Sequence, residues 1–374
     1  MNTVISIAKG IAIILMVAGH AEGPGLLTNF IYTFHMPLFF IAAGYFFSRK
    51  YLDDPWSFIS KRIKGLYFPF LKWSLFFLLL HNVWFHFGIL NEQYGNWTGG
   101  VTHPYTLKSA CHRIFLMVTG MAGYDEFMAG AFWFFRGLFV ASIVFLLLYK
   151  LLDSGTGLKP EACVAVICAS MVALMALRIN YNIKITTIPN GGWREMWGIF
   201  FFGVGVLYRK YESAIGDRYW LSALCLLFLC FAAVQRYHGM NNGAAMQDLW
   251  TLPLTGMAGF LLVHHISVLL DAADTVLRRL LVFIGNNTLY VFIFHILAFK
   301  PVSMLKIWWY DLPFAQIGCH MVIHDHRPDL FWIIYTAAGV ALPLLILVAI
   351  RKIKGSGILL RLQQRVSLRS TRQA

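Results

Sequence analysis

The stretch TVISIAKGIAIILMVAGHA, Thr3–Ala21, decides the fold class. It is a mostly apolar run of the length that crosses the hydrocarbon core of a bilayer, about 20 residues. A signal peptide would open on a basic segment and close on a small-x-small cleavage site. This run has almost no basic segment before it, is interrupted by Lys9 and lacks such a site, so it reads as a retained first span. Nine further runs of the same kind follow, at roughly 30–48, 65–87, 131–150, 161–179, 194–208, 219–235, 249–270, 281–299 and 330–350. The sixth of the ten is short and opens on Trp193, Arg194 and Glu195.

Composition agrees with the runs. Of 374 residues, 59% are hydrophobic and 13% charged, against about a quarter charged in soluble domains. So few charges cannot coat a soluble protein of this size, whereas a lipid-facing surface needs no polar coat. Twelve Trp and 16 Tyr suit side chains that settle at the two membrane interfaces. The net charge of +14 falls between the apolar runs, which is the pattern of orientation signals, so no nucleic-acid partner is expected. With no internal repeat or low-complexity linker, the expectation is an all-α helical bundle. It has about ten transmembrane helices in one domain, 1–350, followed by a basic tail, 351–374.

With the N-terminus placed inside, 20 of the 31 Lys and Arg fall in inner segments and nine in outer ones, while Lys72 and Arg136 lie within spans. This asymmetry, and the even span number, predict that both termini are cytoplasmic. The long outer stretches are then about 88–130 and 300–329, and Tyr105–Thr119 in the first has the spacing of a short helix on the bundle. Cys111 and Cys319 fall on that outer side and the other four Cys sit in apolar runs as small packing residues. Whether Cys111 and Cys319 meet is not readable from sequence.

Ionisable groups inside spans are costly and need a reason. Lys9 and His20 are eleven residues apart, which on a helix is about 20° past three turns and a rise of about 16 Å. They therefore share one face, near opposite ends of the first span. The second span returns after a short loop and carries His35 at a depth similar to His20. Alone, Lys9 is equally a snorkelling lysine and His20 a satisfied helix-end histidine; together with His35 they form a constellation. Arg136 calls for an anionic partner, and an ion pair with Glu126 or Asp125 is as good a reading as a functional role. His264, His265 and His295 read as packing or helix–helix hydrogen bonds. The outer run CHMVIHDHRPD gathers His320, His324, Asp325 and His326 without a His-Glu-x-x-His pattern, so no metal is expected. No Gly-x-Ser-x-Gly elbow or phosphate-binding glycine loop is present.

The stretch ISIAKGIAIILMVAGHAEG, followed by FIYTFHMPLFFIAAGYFF, closely resembles the opening of the membrane acyltransferase-3 family. It is most similar to the branch of fucose 4-O-acetylase-like sugar acetyltransferases. KRIKGLYFPFLKW, FWFFRGLF, IGNNTLYVFIFHILAF and, more softly, FFGVGVLYRK agree, so the likeness runs through most of the chain. The resemblance implies ten or so helices in the bacterial cytoplasmic (inner) membrane. It implies acyl-CoA, most often acetyl-CoA, as donor, and a hydroxyl of an extracytoplasmic or lipid-linked glycan as acceptor. The family's basic residue and histidine, ten residues between them, map to Lys9 and His20, and the histidine of its FHMPLFF motif to His35. The family more often has Arg where this chain has Lys9, which lacks the bidentate fork. No hydrolase-like extracellular domain follows, so the chain is expected to act alone or with separate partners.

On this reading acyl-CoA enters from the cytosol. Lys9, Lys61, Arg62 and Lys64 hold its phosphates, with Arg136 a further donor-binding candidate, and the pantetheine arm reaches up the bundle to His20. His20 then serves as general base or as a transiently acylated nucleophile, with His35 orienting it or stabilising the oxyanion. The competing class is a glycan or small-solute transporter with the same polar residues along a solute path.

Overall fold

The computed structural model describes residues 2–95, 102–123, 126, 128–183, 192–241 and 245–355. Among these the regular structure is all helical. The bundle opens with α1 (Thr3–His20), capped by the Asn2 side chain, which accepts from the Ile5 amide at 3.1 Å. A tight turn leads to α2 (Gly25–Tyr32) and α3 (His35–Tyr45), one membrane-length segment broken at Thr33–Phe34. Pro37 is the cause. It has no N–H for the Thr33 carbonyl four residues back, and that carbonyl instead accepts the Thr255 hydroxyl at 3.1 Å.

After α4 (Lys50–Asp53), α5 (Pro55–Arg62) runs through a π-helical turn, Ile63–Tyr67, into α6 (Phe68–His86). Pro69, inside this 32-residue segment, removes another such bond, and a one-residue register slip is the local answer. The chain continues as α7 (Leu107–Gly120), α8 (Trp133–Thr156), α9 (Pro160–Asn180), α10 (Trp193–Ile215) and α11 (Tyr219–Val234). It closes with α12 (Asp248–Asp271), α13 (Val276–Asn286), α14 (Thr288–Tyr310) and α15 (Phe331–Gly355). The short helix expected within Tyr105–Thr119 is α7.

Eight segments among the described residues are long and apolar enough to cross a membrane. Each of the ten expected runs is helical, but two are not among the eight. α10 carries Arg194 and Glu195 at one end and Arg209, Lys210 and Glu212 at the other, and α11 has 16 residues. Of the tail expected at 351–374, residues beyond 355 lie outside the described set, as does Asp125.

The larger correction concerns the ninth run. The expected 281–299 crosses a break at Asn287, whose side chain donates to the Phe283 carbonyl at 2.7 Å. The membrane-length helix is α14, and it continues to Tyr310, so Lys300 and Lys306 are helical and buried rather than parts of an outer loop. Their ammonium groups are satisfied from outside the helix. Lys300 donates to the carbonyls of Ile317 (2.9 Å) and Cys319, while Lys306 donates to that of Ile323 (3.1 Å) and pairs with Asp329 at 2.6 Å. The segment between α14 and α15 folds back over α14, a long-range contact that no local pattern announces. Cys111 is exposed, Cys319 is buried, and both are free thiols.

α1 is packed by α3, α12, α13, α14 and α15. At its crossing with α13 the backbones touch: a Cβ on Gly285 would lie 1.7 Å from the Ser6 carbonyl oxygen, and one on Gly10 2.4 Å from that of Leu281. α3 and α10 meet in the same way, with a Cβ on Gly44 1.9 Å from the Phe202 oxygen. Lipid supplies no hydrophobic drive between helices, so close van der Waals approach over small residues is what holds such crossings.

Candidate active site

Three helices bring histidines together. His20 ends α1, His35 opens α3, and His295 lies two turns into α14. His20 Nδ1 and His295 Nε2 are 2.8 Å apart, with the rings stacked at 5.0 Å between centroids. His35 is close enough to His20 to interact electrostatically, as is His320 from the segment that covers α14. A Cβ on Gly130, ahead of α8, would lie 3.2 Å from His320 Nε2, so the glycine gives that ring its place.

The hydrogen bonds define the tautomers. His295 Nδ1 faces the carbonyls of Phe292 (2.9 Å) and Val291 (3.2 Å), which only accept, so it carries the proton. In the neutral ring Nε2 is then an acceptor, and its 2.8 Å partner, His20 Nδ1, must donate. His20 is left with its lone pair on Nε2. This is how a catalytic imidazole is oriented by a second group behind it. His35 Nδ1 donates to the Ile31 carbonyl at 2.9 Å, so its neutral ring also presents an Nε2 lone pair.

An apolar cavity of about 280 Å³ lies in the bundle beside this cluster, and no histidine lines it. Met16, Phe39 and Phe292 are among its lining residues, and each lies one turn from a histidine: His20, His35 and His295 respectively. Lys9 is the cation on the same wall, at the other end of the α1 face, beside Thr288 at the start of α14. Among the described residues Lys9 has no hydrogen-bond or ion-pair partner.

The other expected cations separate. Lys64 lines a neighbouring cavity with Lys72 that shares Leu289 with the Lys9 cavity. Lys61 turns to the Tyr51 hydroxyl at 3.1 Å, and the Arg62 guanidinium lies over the Phe58 ring at 4.5 Å. Neither lines the Lys9 cavity. Arg136 pairs with Glu195 of α10 at 3.2 Å, not with Glu126. Glu126 instead receives His81 (2.8 Å) and the Tyr105 hydroxyl (2.7 Å), a buried network that sequence reading did not find. The physical reason is reach: helix packing sets Arg136 and Glu195 side by side, although 59 residues separate them.

The polar run 319–329 also disperses. His324 faces Glu22 at 3.2 Å, His326 stacks on Tyr310 at 4.2 Å, and Asp325 accepts from Gln316 at 2.6 Å. Among the described residues no three His, Cys, Asp or Glu side chains converge as metal ligands would. His264 sits between Glu212 (3.1 Å) and Asp217 (3.5 Å), and His265 meets Ser222, both away from the His20 cluster. His295, read from sequence as packing or a helix–helix hydrogen bond, makes such a bond from α14 to His20 of α1, a partner the sequence did not name. Its position in an otherwise apolar span was the one available signal, and a single buried histidine does not distinguish a catalytic pair from a helix–helix bond.

Eight helices long and apolar enough to cross a membrane, with an oriented imidazole pair between two of them, define a polytopic helical membrane protein. The chain belongs to the acyltransferase-3 family: residues 2–351 match the family's acyltransferase domain (Acyl_transf_3). It is therefore a multi-pass membrane acyltransferase. Searches of curated proteins and of solved structures each gave no match.

Proposed function

We propose that this chain transfers an acetyl group from cytosolic acetyl-CoA to a hydroxyl of an extracytoplasmic or lipid-linked sugar, in the manner of fucose 4-O-acetylase-like enzymes of the bacterial cytoplasmic membrane. The observation that carries the reading is Lys9, without a hydrogen-bond or ion-pair partner among the described residues, on the wall of an apolar cavity whose lining reaches Met16 and Phe292, one helical turn from the paired His20 and His295. The separation of Lys9 and His20 along α1, about 16 Å of helix rise, is of the order of an extended pantetheine arm. Lys9, with Lys64 and Lys72 nearby, forms the phosphate-binding mouth by charge-assisted hydrogen bonds. In this orientation the Lys9 end is cytoplasmic and the His20 end faces out.

At the outer end His20 Nε2 takes the proton of the acceptor hydroxyl. The oxygen attacks the thioester carbonyl carbon, the C–S bond breaks, and the CoA sulfur leaves with the proton that His20 returns. His295 keeps His20 in the productive tautomer throughout, and His35 Nε2 accepts a hydrogen bond from a neighbouring hydroxyl of the acceptor sugar. An ester and free CoA result.

Calorimetry with acetyl-CoA and detergent-purified protein tests the donor half. Saturable binding is expected, weakened about tenfold or more in Lys9→Ala, the cost of one charge-assisted hydrogen bond at about 1.5–3 kcal/mol. Equal affinity in the two proteins would remove Lys9 from the donor site. No binding to folded wild type would turn the reading toward a different donor.

A further inference from the structure

A second cavity, of about 350 Å³, opens at the His20 end of the bundle. That volume lies at the lower end of small-molecule sites, roughly 300–1,000 Å³. One wall is the turn directly after His20, Ala21 to Gly25. The opposite wall is the segment that covers α14, with Arg327 and Asp329, and the floor holds Lys306 of α14 and Trp332 and Tyr335 of α15.

Two features mark it as a built site. The first is charge balance. Glu22 and Asp329 face Arg327 and Lys306, two carboxylates against two cations, and the Lys306–Asp329 pair is set deep, with side chains 1% and 11% exposed. The second is strain. Glu22 holds a left-handed backbone at φ 53°, which a non-glycine residue adopts at a cost and which clusters at functional sites. Arg327 holds it there, donating to the Glu22 carbonyl at 2.8 Å and pairing with its carboxylate. His324 approaches that carboxylate from the same segment.

We infer that this cavity is the acceptor subsite and that it takes an uncharged pyranose ring, seated between the Glu22–Arg327 pair and Trp332. The inference rests on the transferase reading and names the chemistry of its acceptor. Each sugar hydroxyl both donates and accepts, so it matches a wall of alternating carboxylates and cations. An anionic sugar would meet Glu22 and Asp329, and a cationic one Lys306 and Arg327, each at the cost of an unmatched charge. The indole offers a flat apolar surface to the C–H face of the ring. Because Ala21 lines this cavity and follows His20 directly, a ring held here brings its neighbouring hydroxyl toward the catalytic base.

Gly25 supplies the test. It lines the cavity, and a Cβ added to it meets nothing within 4 Å, so Gly25→Phe places a bulky ring at the cavity's rim without a clash at its first atom. Saturation-transfer NMR on protein in lipid nanodiscs would use methyl α-D-glucopyranoside, methyl α-D-galactopyranoside and methyl α-L-fucopyranoside as neutral probes. Glucuronate and glucosamine are the charged comparators. At least one neutral pyranoside is expected to receive saturation from the wild type, several-fold above either charged sugar, and to lose it in Gly25→Phe and Trp332→Ala. Trp332→Phe, which keeps an aromatic wall, should retain it.

Undiminished transfer in Gly25→Phe, a preference for a charged sugar, or no transfer to any neutral pyranoside would overturn the assignment. Acetyl-CoA binding measured on the same samples separates the two readings. Donor binding without pyranoside binding sinks this subsite alone, while pyranoside binding without donor binding sinks the acetyl-CoA-dependent transferase.

Discussion

His20→Ala is expected to lower acetyl transfer by about 10²–10⁴-fold, the usual worth of a positioned general base, while acetyl-CoA affinity and the yield of folded protein stay unchanged. The imidazole is half-buried at the end of a helix whose hold on the bundle lies elsewhere, in Ile5, Ala12 and Val17 and at the Gly10 crossing. Truncation should therefore remove chemistry and leave the scaffold. His295→Leu provides the companion measurement. It deletes the acceptor that holds the proton on His20 Nδ1, so the ring samples the wrong tautomer. A fall of about 10²-fold or more in kcat at constant donor affinity is expected, by analogy with other oriented catalytic imidazoles. Near-normal turnover in His20→Ala would end the assignment. Near-normal turnover in His295→Leu would leave His20 as base and remove His295 as its positioning residue. Mass detection of an acetylated His20 peptide after incubation with donor alone would make the same nitrogen a nucleophile instead.

Gly285→Val should cost the protein its fold rather than its chemistry. The added Cβ would meet the Ser6 carbonyl oxygen at 1.7 Å, and the obstacle is backbone, which cannot swing aside as a side chain does. α1 and α13 would have to separate, opening the crossing that sets the height of Lys9 and His20 in the bundle. Overpacking of this kind costs about 1–3 kcal/mol and sometimes more, and here the upper part of that range is expected because backbone meets backbone at the crossing. The readout is the melting temperature and the monodisperse fraction in size-exclusion chromatography. An unchanged melting temperature would mean that the two helices have slack at this crossing. Val276→Ala on the exposed start of the same helix, where the side chain is 73% exposed, serves as the neutral comparison.

The sequence by itself determined the class of this protein. Apolar runs and sparse charge admit only a helical membrane bundle, because lipid leaves every backbone N–H and C=O to be satisfied within its own segment. The shared face of a donor-binding candidate, Lys9, and a catalytic candidate, His20, was also legible, since they lie on one helix and an eleven-residue spacing is a local property. Motif resemblance led to the acyltransferase-3 family, which the match over residues 2–351 establishes.

Tertiary structure decided the rest. His295 becomes a partner of His20 across 275 residues, and Arg136 goes to Glu195 rather than to a carboxylate nearer in sequence. Lys300 and Lys306, which a charge count assigns to an outer loop, are buried because carbonyls of a returning segment receive them. The close crossings at Gly10, Gly44 and Gly285 were equally silent, since a glycine in an apolar run looks the same whether lipid or another backbone lies against it. Local periodicity reports which residues share a face of one helix. Which face of which helix then meets it depends on contacts between residues far apart in the chain, and those are settled by packing and by where each buried polar group finds its partner.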